Sequence, residues 1–136
     1  MADGTAIVAY SPLGRGFLAG RFQKPEDIEE GDFRKNNPRF QGENFTKNLE
    51  LVLQLEALAS KKGAKVTSGQ IALAWLLSKS DQMFVIPGTT DVGRLRENVG
   101  AGEVELDAGE VGEIDAIIES FKAAGSRYAA GMPTAF

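Results

Sequence analysis

Phe84-Val85-Ile86-Pro87-Gly88-Thr89-Thr90, then Asp91 and Arg94-Leu95-Arg96-Glu97-Asn98, is the stretch that decides the reading of this chain. A short apolar run ends in Pro-Gly, and a polar turn opens onto a segment with Arg, Glu and Asn at helical spacing. A strand that stops at a helix N-terminus presents backbone N–H groups and a positive dipole end to an anion. With Asp91 as the cap, Arg94 lies about one turn before Glu97 and Asn98, so the three share a face. That face suits a phosphate at Arg94 and a purine edge at Glu97 and Asn98. It reads as half of a nucleotide site.

The other half lies near the N-terminus. Ala6-Ile7-Val8-Ala9-Tyr10 is an apolar run of strand length, followed by Ser11-Pro12-Leu13-Gly14-Arg15-Gly16. Pro and two Gly permit a tight turn whose backbone approaches a ligand closely. Tyr10 stands at the strand end, placed to offer a flat aromatic face.

In this order, Tyr-Ser-Pro-Leu-Gly-Arg-Gly and Ile-Pro-Gly-Thr-Thr with Arg-Leu-Arg-Glu-Asn resemble the aldo-keto reductase superfamily. They look like its penultimate and last barrel strands with their cofactor loops, and Gly125-Ser126-Arg127-Tyr128 looks like the C-terminus of fungal, plant and bacterial members. The resemblance covers nearly all of this chain, and the chain covers well under half of the family's barrel. It implies an α/β fold: the C-terminal portion of a (β/α)8 TIM barrel, incomplete here, with about two strands plus helices, beginning just before the seventh strand. Residues 1–136 would form one NADP(H)-binding unit.

The resemblance also implies the roles. Tyr10 would stack on the nicotinamide ring, and Ser11, Pro12, Leu13, Gly14 and Arg15 would line the pyrophosphate. Gly88, Thr89 and Thr90 would face the cofactor, with Thr89 and Arg94 at the adenosine 2′-phosphate. Glu97 and Asn98 would read the adenine. Many relatives carry Lys or Arg where this chain has Gly88, Thr89 or Thr90, so a preference for NADP(H) rests mainly on Arg94. Arg21 matches a basic residue that reaches the pyrophosphate in some relatives, and a solvent-exposed arginine fits that position equally. Arg34 and Arg39 lie in the long loop and are candidates to clasp the cofactor. The family's catalytic Asp, Tyr, Lys and His come from earlier strands, and this chain has no histidine at all.

At 136 residues the chain fits one domain burying roughly two-thirds of its extended surface. Its 43% hydrophobic and 25% charged content is that of an ordinary globular protein. A net charge of −4 argues against nucleic acid or an anionic membrane as the main partner. An anionic cofactor must therefore be held by local arginines. With no cysteine, disulfides and thiolate metal sites are excluded; without histidine, so are Ser-His-Asp hydrolysis and imidazole metal ligation. Glu29, Glu30 and Asp32 are too irregularly spaced for a Ca²⁺ loop. Met1-Ala2-Asp3-Gly4 has no basic region or apolar run of a signal peptide, and no run of about 18 apolar residues spans a membrane. The expectation is a cytoplasmic protein.

Along the chain, residues 20–44 form a long polar stretch, which in the resembled family folds over the cofactor; a flexible excursion is the alternative. Residues 45–62 carry Leu51, Val52, Leu55, Leu58 and Ala59 at helical spacing, with Gly63 to close the helix. Thr67-Ser68-Gly69-Gln70 is a capping box before Ile71-Ala72-Leu73-Ala74-Trp75-Leu76-Leu77, a segment apolar all round that demands burial. Trp75 reads as core. Residues 83–86 form the second strand and 92–99 a short helix. Asp107 and Glu110 make another capping box, before a helix with Val111, Ile114, Ile117, Ile118 and Phe121 on one stripe. The tail, residues 126–136, shows no periodicity.

Two strands alone leave sheet edges unpaired and helix faces bare, and the chain offers few partners to cover the Ile71–Leu77 helix. The expected partners are thus a missing N-terminal half or a second copy, besides a small-molecule carbonyl substrate in the complete barrel. The expected function is the cofactor-binding portion of an aldehyde or ketone reductase. A non-catalytic NADP-binding or interaction module, like the family members that serve as ion-channel auxiliary subunits, and an inactive truncated product stay open.

Overall fold

The computed structural model describes residues 4–131. The readings of Met1, Ala2 and Asp3 and of the tail beyond Gly131 lie outside the described residues. Strands β1 (Ile7–Tyr10) and β2 (Met83–Ile86) pair in parallel, with Ile7 opposite Met83 and Tyr10 opposite Ile86. A parallel pair needs a long crossover, and the intervening chain supplies two helices to make it.

Helix α1 (Gly42–Lys62) starts upstream of the expected residue 45, because the turn Pro38–Phe40 runs directly into it. Its periodic positions Leu51, Val52, Leu55, Leu58 and Ala59 are all buried. Helix α2 (Ser68–Ser78) has the capping box as read: the Gln70 N–H donates to Thr67 Oγ1 (3.2 Å) and the Thr67 N–H to Gln70 Oε1 (3.1 Å). Helices α3 (Val92–Gly100) and α4 (Ala108–Ser120) follow, capped by Asp91 and Asp107.

Residues 20–44 are no bare excursion. They fold into three 3-10 turns, Pro25–Asp27, Phe33–Asn36 and Pro38–Phe40. Phe22, Ile28 and Phe40 from this segment bury themselves with Phe17, Phe45 and Val52. Phe17 meets Phe40 and Phe45 edge-on, each at 5.1 Å between centroids, the arrangement the ring quadrupoles favour. Irregular spacing hid this cluster from any periodicity argument. A second cluster joins Leu51, Leu55, Leu58 and Ala59 of α1, Ile71 and Ala72 of α2, and Ile114 of α4. Trp75 packs against it as expected, and its indole N–H donates to Asp115 (2.8 Å).

One expectation about coverage is corrected. Helix α2 is not left bare: α1, α3, α4 and β2 surround it, and Ile71, Ala72, Leu73 and Ala74 are buried. The uncovered surface lies elsewhere. In-register parallel neighbours point the same way, so Val8, Tyr10, Phe84 and Ile86 share the sheet face opposite the helices, and each is 47–57% exposed. Helix α3 adds exposed Val92, Leu95 and Val99 at i, i+3, i+7. Among the described residues, no helix is long and apolar enough to cross a membrane.

Candidate functional site

Because β1 and β2 run in the same direction, their C-terminal ends lie side by side, and the chain leaves both at one edge. After Tyr10, residues 11–20 coil into consecutive tight turns: the Gly14 N–H donates to Ser11 O (2.9 Å) and the Gly16 N–H to Leu13 O (3.0 Å). Ser11 (φ 52°) and Arg15 (φ 61°) hold left-handed backbone that side-chain-bearing residues seldom adopt. After Ile86, the second loop leads into α3. Asp91 caps that helix by accepting from the Arg94 N–H (2.8 Å), so one of the N–H groups expected to face an anion is already used. The Thr89 hydroxyl accepts from the Asp91 N–H (3.1 Å), which makes its own turn its first partner.

Between the two loops lies an open cleft of about 720 Å³. Besides the two long-loop candidates Arg34 and Arg39, thirteen residues were singled out in the sequence, and twelve of them line the cleft: Tyr10 to Leu13, Arg15, Arg21, Gly88 to Thr90, Arg94, Glu97 and Asn98. Gly14 does not; it serves the turn, with φ 56°. Phe33 and Arg34 join the wall from the long segment. Arg39 does not reach it and instead donates through Nε to the Gly125 carbonyl (3.4 Å).

The cleft concentrates positive charge on an acidic chain. Burial, and then the neighbouring Arg94 and Arg34 guanidiniums, hold Arg21 below the ordinary arginine pKa. Arg34 is braced from two sides: it is ion-paired with Asp32, and its Nη1 donates to the Arg15 carbonyl (3.0 Å). Hydrogen bonding from Arg34 pulls the Asp32 pKa down to about 2. Arg94 is exposed, and among the described residues its guanidinium has no hydrogen bond or ion pair. Like charges gathered with one side open form a site prepared for an anion.

At the other end, the Tyr10 and Tyr128 hydroxyls are 3.0 Å apart, and this hydrogen bond first of all raises the Tyr10 pKa. The Arg127 guanidinium lies over the Tyr10 ring at 4.4 Å. Its carbonyl accepts from Arg15 Nη1 (2.8 Å) and Asn37 Nδ2 (3.0 Å). Sequence reasoning assigned Arg127 and Tyr128 no place in the site. The tail motif Gly125-Ser126-Arg127-Tyr128 is legible as a resemblance, but nothing local in it tells that Tyr128 meets a tyrosine 118 residues away. Among the described residues, no group of three or more His, Cys, Asp or Glu is placed to hold a metal ion.

The sequence profile of the Aldo/keto reductase family matches residues 1–119. The chain is 48% identical over 125 residues to an aldo-keto reductase of Schizosaccharomyces pombe whose name carries NADP(+), covering 92% of this chain and 36% of that protein. It is 44% identical over 126 residues to an aldo-keto reductase of Strobilurus tenacellus, covering 93% and 37%. To a probable aldo-keto reductase of Glycine max it is 40% identical over 129 residues, covering 95% and 36%. The chain therefore spans little more than a third of the length of the curated relatives it matches.

Proposed function

The chain belongs to the aldo/keto reductase family, and from that premise we propose that it is the NADP(H)-binding, C-terminal portion of a (β/α)8 barrel that reduces aldehydes or ketones to alcohols. The observation that carries the reading is the arginine-lined cleft at the C-terminal ends of two adjacent parallel strands. Barrel enzymes of this architecture build their sites on that edge. The bare sheet face of Val8, Tyr10, Phe84 and Ile86 is where a barrel interior would lie, with the helices outside.

The residues present fit a phosphorylated dinucleotide. Arg94 takes the 2′-phosphate, with Gly88, Thr89 and Thr90 beside it. Arg21, Arg34 and the turn residues Ser11, Pro12, Leu13 and Arg15 take the pyrophosphate, with Gly14 shaping that turn from outside the cleft. Tyr10 offers its ring to the nicotinamide, and Glu97 and Asn98 face the adenine. The strained backbone of Ser11 and Arg15 supports a ligand-facing role for that turn. Bound NADPH supplies the hydride for the carbonyl carbon. This chain binds and orients; with no histidine among its 136 residues, the family's proton-transfer residues are to be sought outside it. A non-catalytic NADP-binding or interaction module is the second reading.

Calorimetric titration of the chain with NADPH, NADH and adenosine 2′,5′-bisphosphate tests the assignment. NADPH should bind roughly tenfold or more tightly than NADH, the contribution of a charged hydrogen bond, and the bisphosphate should compete with it. Equal affinities for the two dinucleotides would remove the 2′-phosphate site, and no binding of any ligand would remove the cleft's assigned role.

A further inference from the structure

Glu97 does not stand free in the cleft. Its Oε1 accepts a 2.6 Å hydrogen bond from the hydroxyl of Thr67, a residue of the α2 N-terminus that does not line the cleft. The same hydroxyl accepts the Gln70 N–H of the capping box (3.2 Å). A hydroxyl has one proton, so with Gln70 donating to it, the proton goes to Glu97. A second tie comes from Gln70, whose Nε2 donates to the Glu97 carbonyl (3.0 Å). Gly100 makes room for that amide, since a Cβ there would sit 2.9 Å from Gln70 Nε2. Side chain and backbone of Glu97 are thus both fixed from α2. Among the described residues nothing donates to its Oε2, which remains as an acceptor for a ligand.

We propose that Thr67 is the positioning residue for the Glu97 carboxylate, and that the fixed acceptor makes the site select a nucleobase bearing an exocyclic amine over one bearing an oxo group. The inference rests on the nucleotide reading of the cleft and adds to it a residue outside the cleft and a base preference. An ionised carboxylate only accepts hydrogen bonds. An amine on the base edge satisfies Oε2, whereas an oxo group sets acceptor against acceptor and leaves both unpaired, which costs more than a missing contact. Without the Thr67 hydroxyl the carboxylate is free to swing, and the distinction should fade.

The test compares NADP(+) with its hypoxanthine counterpart on the full chain by calorimetry, with adenosine 2′,5′-bisphosphate reporting the phosphate end. The wild-type chain should favour the adenine form by roughly tenfold or more. Thr67→Val should reduce the preference to about twofold or less by weakening the adenine form alone, and Thr67→Ser, which keeps both hydrogen bonds, should restore it. Since Thr67→Val also removes the α2 cap, Glu97→Ala serves as the second variant: it leaves the cap intact and should abolish the preference too. Equal weakening of both forms in Thr67→Val would reduce Thr67 to a helix cap and overturn the proposal. So would a preference that survives Glu97→Ala. Loss of bisphosphate binding in the wild type would instead strike the underlying nucleotide reading.

Discussion

Replacing Arg94 by Ala separates ligand recognition from stability more cleanly than any other change in this chain. The guanidinium is exposed and, among the described residues, unpaired, so its removal breaks no internal contact. Ala is the best helix former, so α3 does not suffer. Arg21 gains, because one of the two guanidiniums that depress its pKa is gone. The whole cost therefore falls on the ligand. A hydrogen bond to a charged group contributes about 1.5–3 kcal/mol; exposure and salt screening place Arg94 at the lower end. Roughly 1.5 kcal/mol corresponds to about a tenfold loss of NADPH affinity. NADH, lacking the 2′-phosphate, should be nearly unaffected. Titrations at low and high salt, with a thermal melt of each protein, form the assay. The NADPH loss should shrink as salt rises and the melting temperature should hold. Equal losses for NADPH and NADH, or a loss tracking a lower melting temperature, would refute the reasoning.

Three further outcomes are expected. The chain alone should show no NADPH-dependent carbonyl reduction, because it lacks the family's histidine and supplies no assigned proton donor; turnover that survives both Tyr10→Phe and Tyr128→Phe would contradict this. The chain should self-associate through the sheet face of Val8, Phe84 and Ile86 and the α3 stripe, since leaving several such side chains in water forfeits roughly 1.5–3 kcal/mol each; Phe84→Ser should lower the mass seen by light scattering, and a wild-type monomer at high concentration would count against it. The Asp32 carboxyl is held below its unfolded value of 3.8, at about 2, so its stabilisation is complete above about pH 4 and lost as pH falls toward 2. Thermal melts over that window should show a steeper decline for the wild type than for Asp32→Asn, and identical slopes would argue against the pairing.

What the sequence disclosed was local, and what it concealed was distant. The capping boxes at Thr67 and Asp107 lie within four consecutive residues, and the strand ends at Tyr10 and Ile86 are marked by the Pro and Gly that follow. The parallel pairing then brought two separately legible loops to one edge, which is why the candidate residues meet. Residues 20–44 read as polar because Phe22, Ile28 and Phe40 are too far apart for any period; they cohere only against Phe17, Phe45 and Val52. Arg39 was a reasonable candidate by charge, yet its donor goes to the Gly125 carbonyl. Arg127 over Tyr10 and Thr67 against Glu97 are long-range pairings, chosen by tertiary packing and without a local signature.

The central claim is that the loops leaving β1 and β2 hold the phosphates of NADP(H). Amide chemical-shift mapping of the isotope-labelled chain during titration with NADPH addresses it residue by residue. The account predicts shifts concentrated in residues 10–21, in Arg34 and in residues 86–98, with the largest at the two turns and the first turn of α3. Shifts centred instead on the groove between α1 and α4, around Lys61 and Glu113, or none at saturating NADPH, would contradict it.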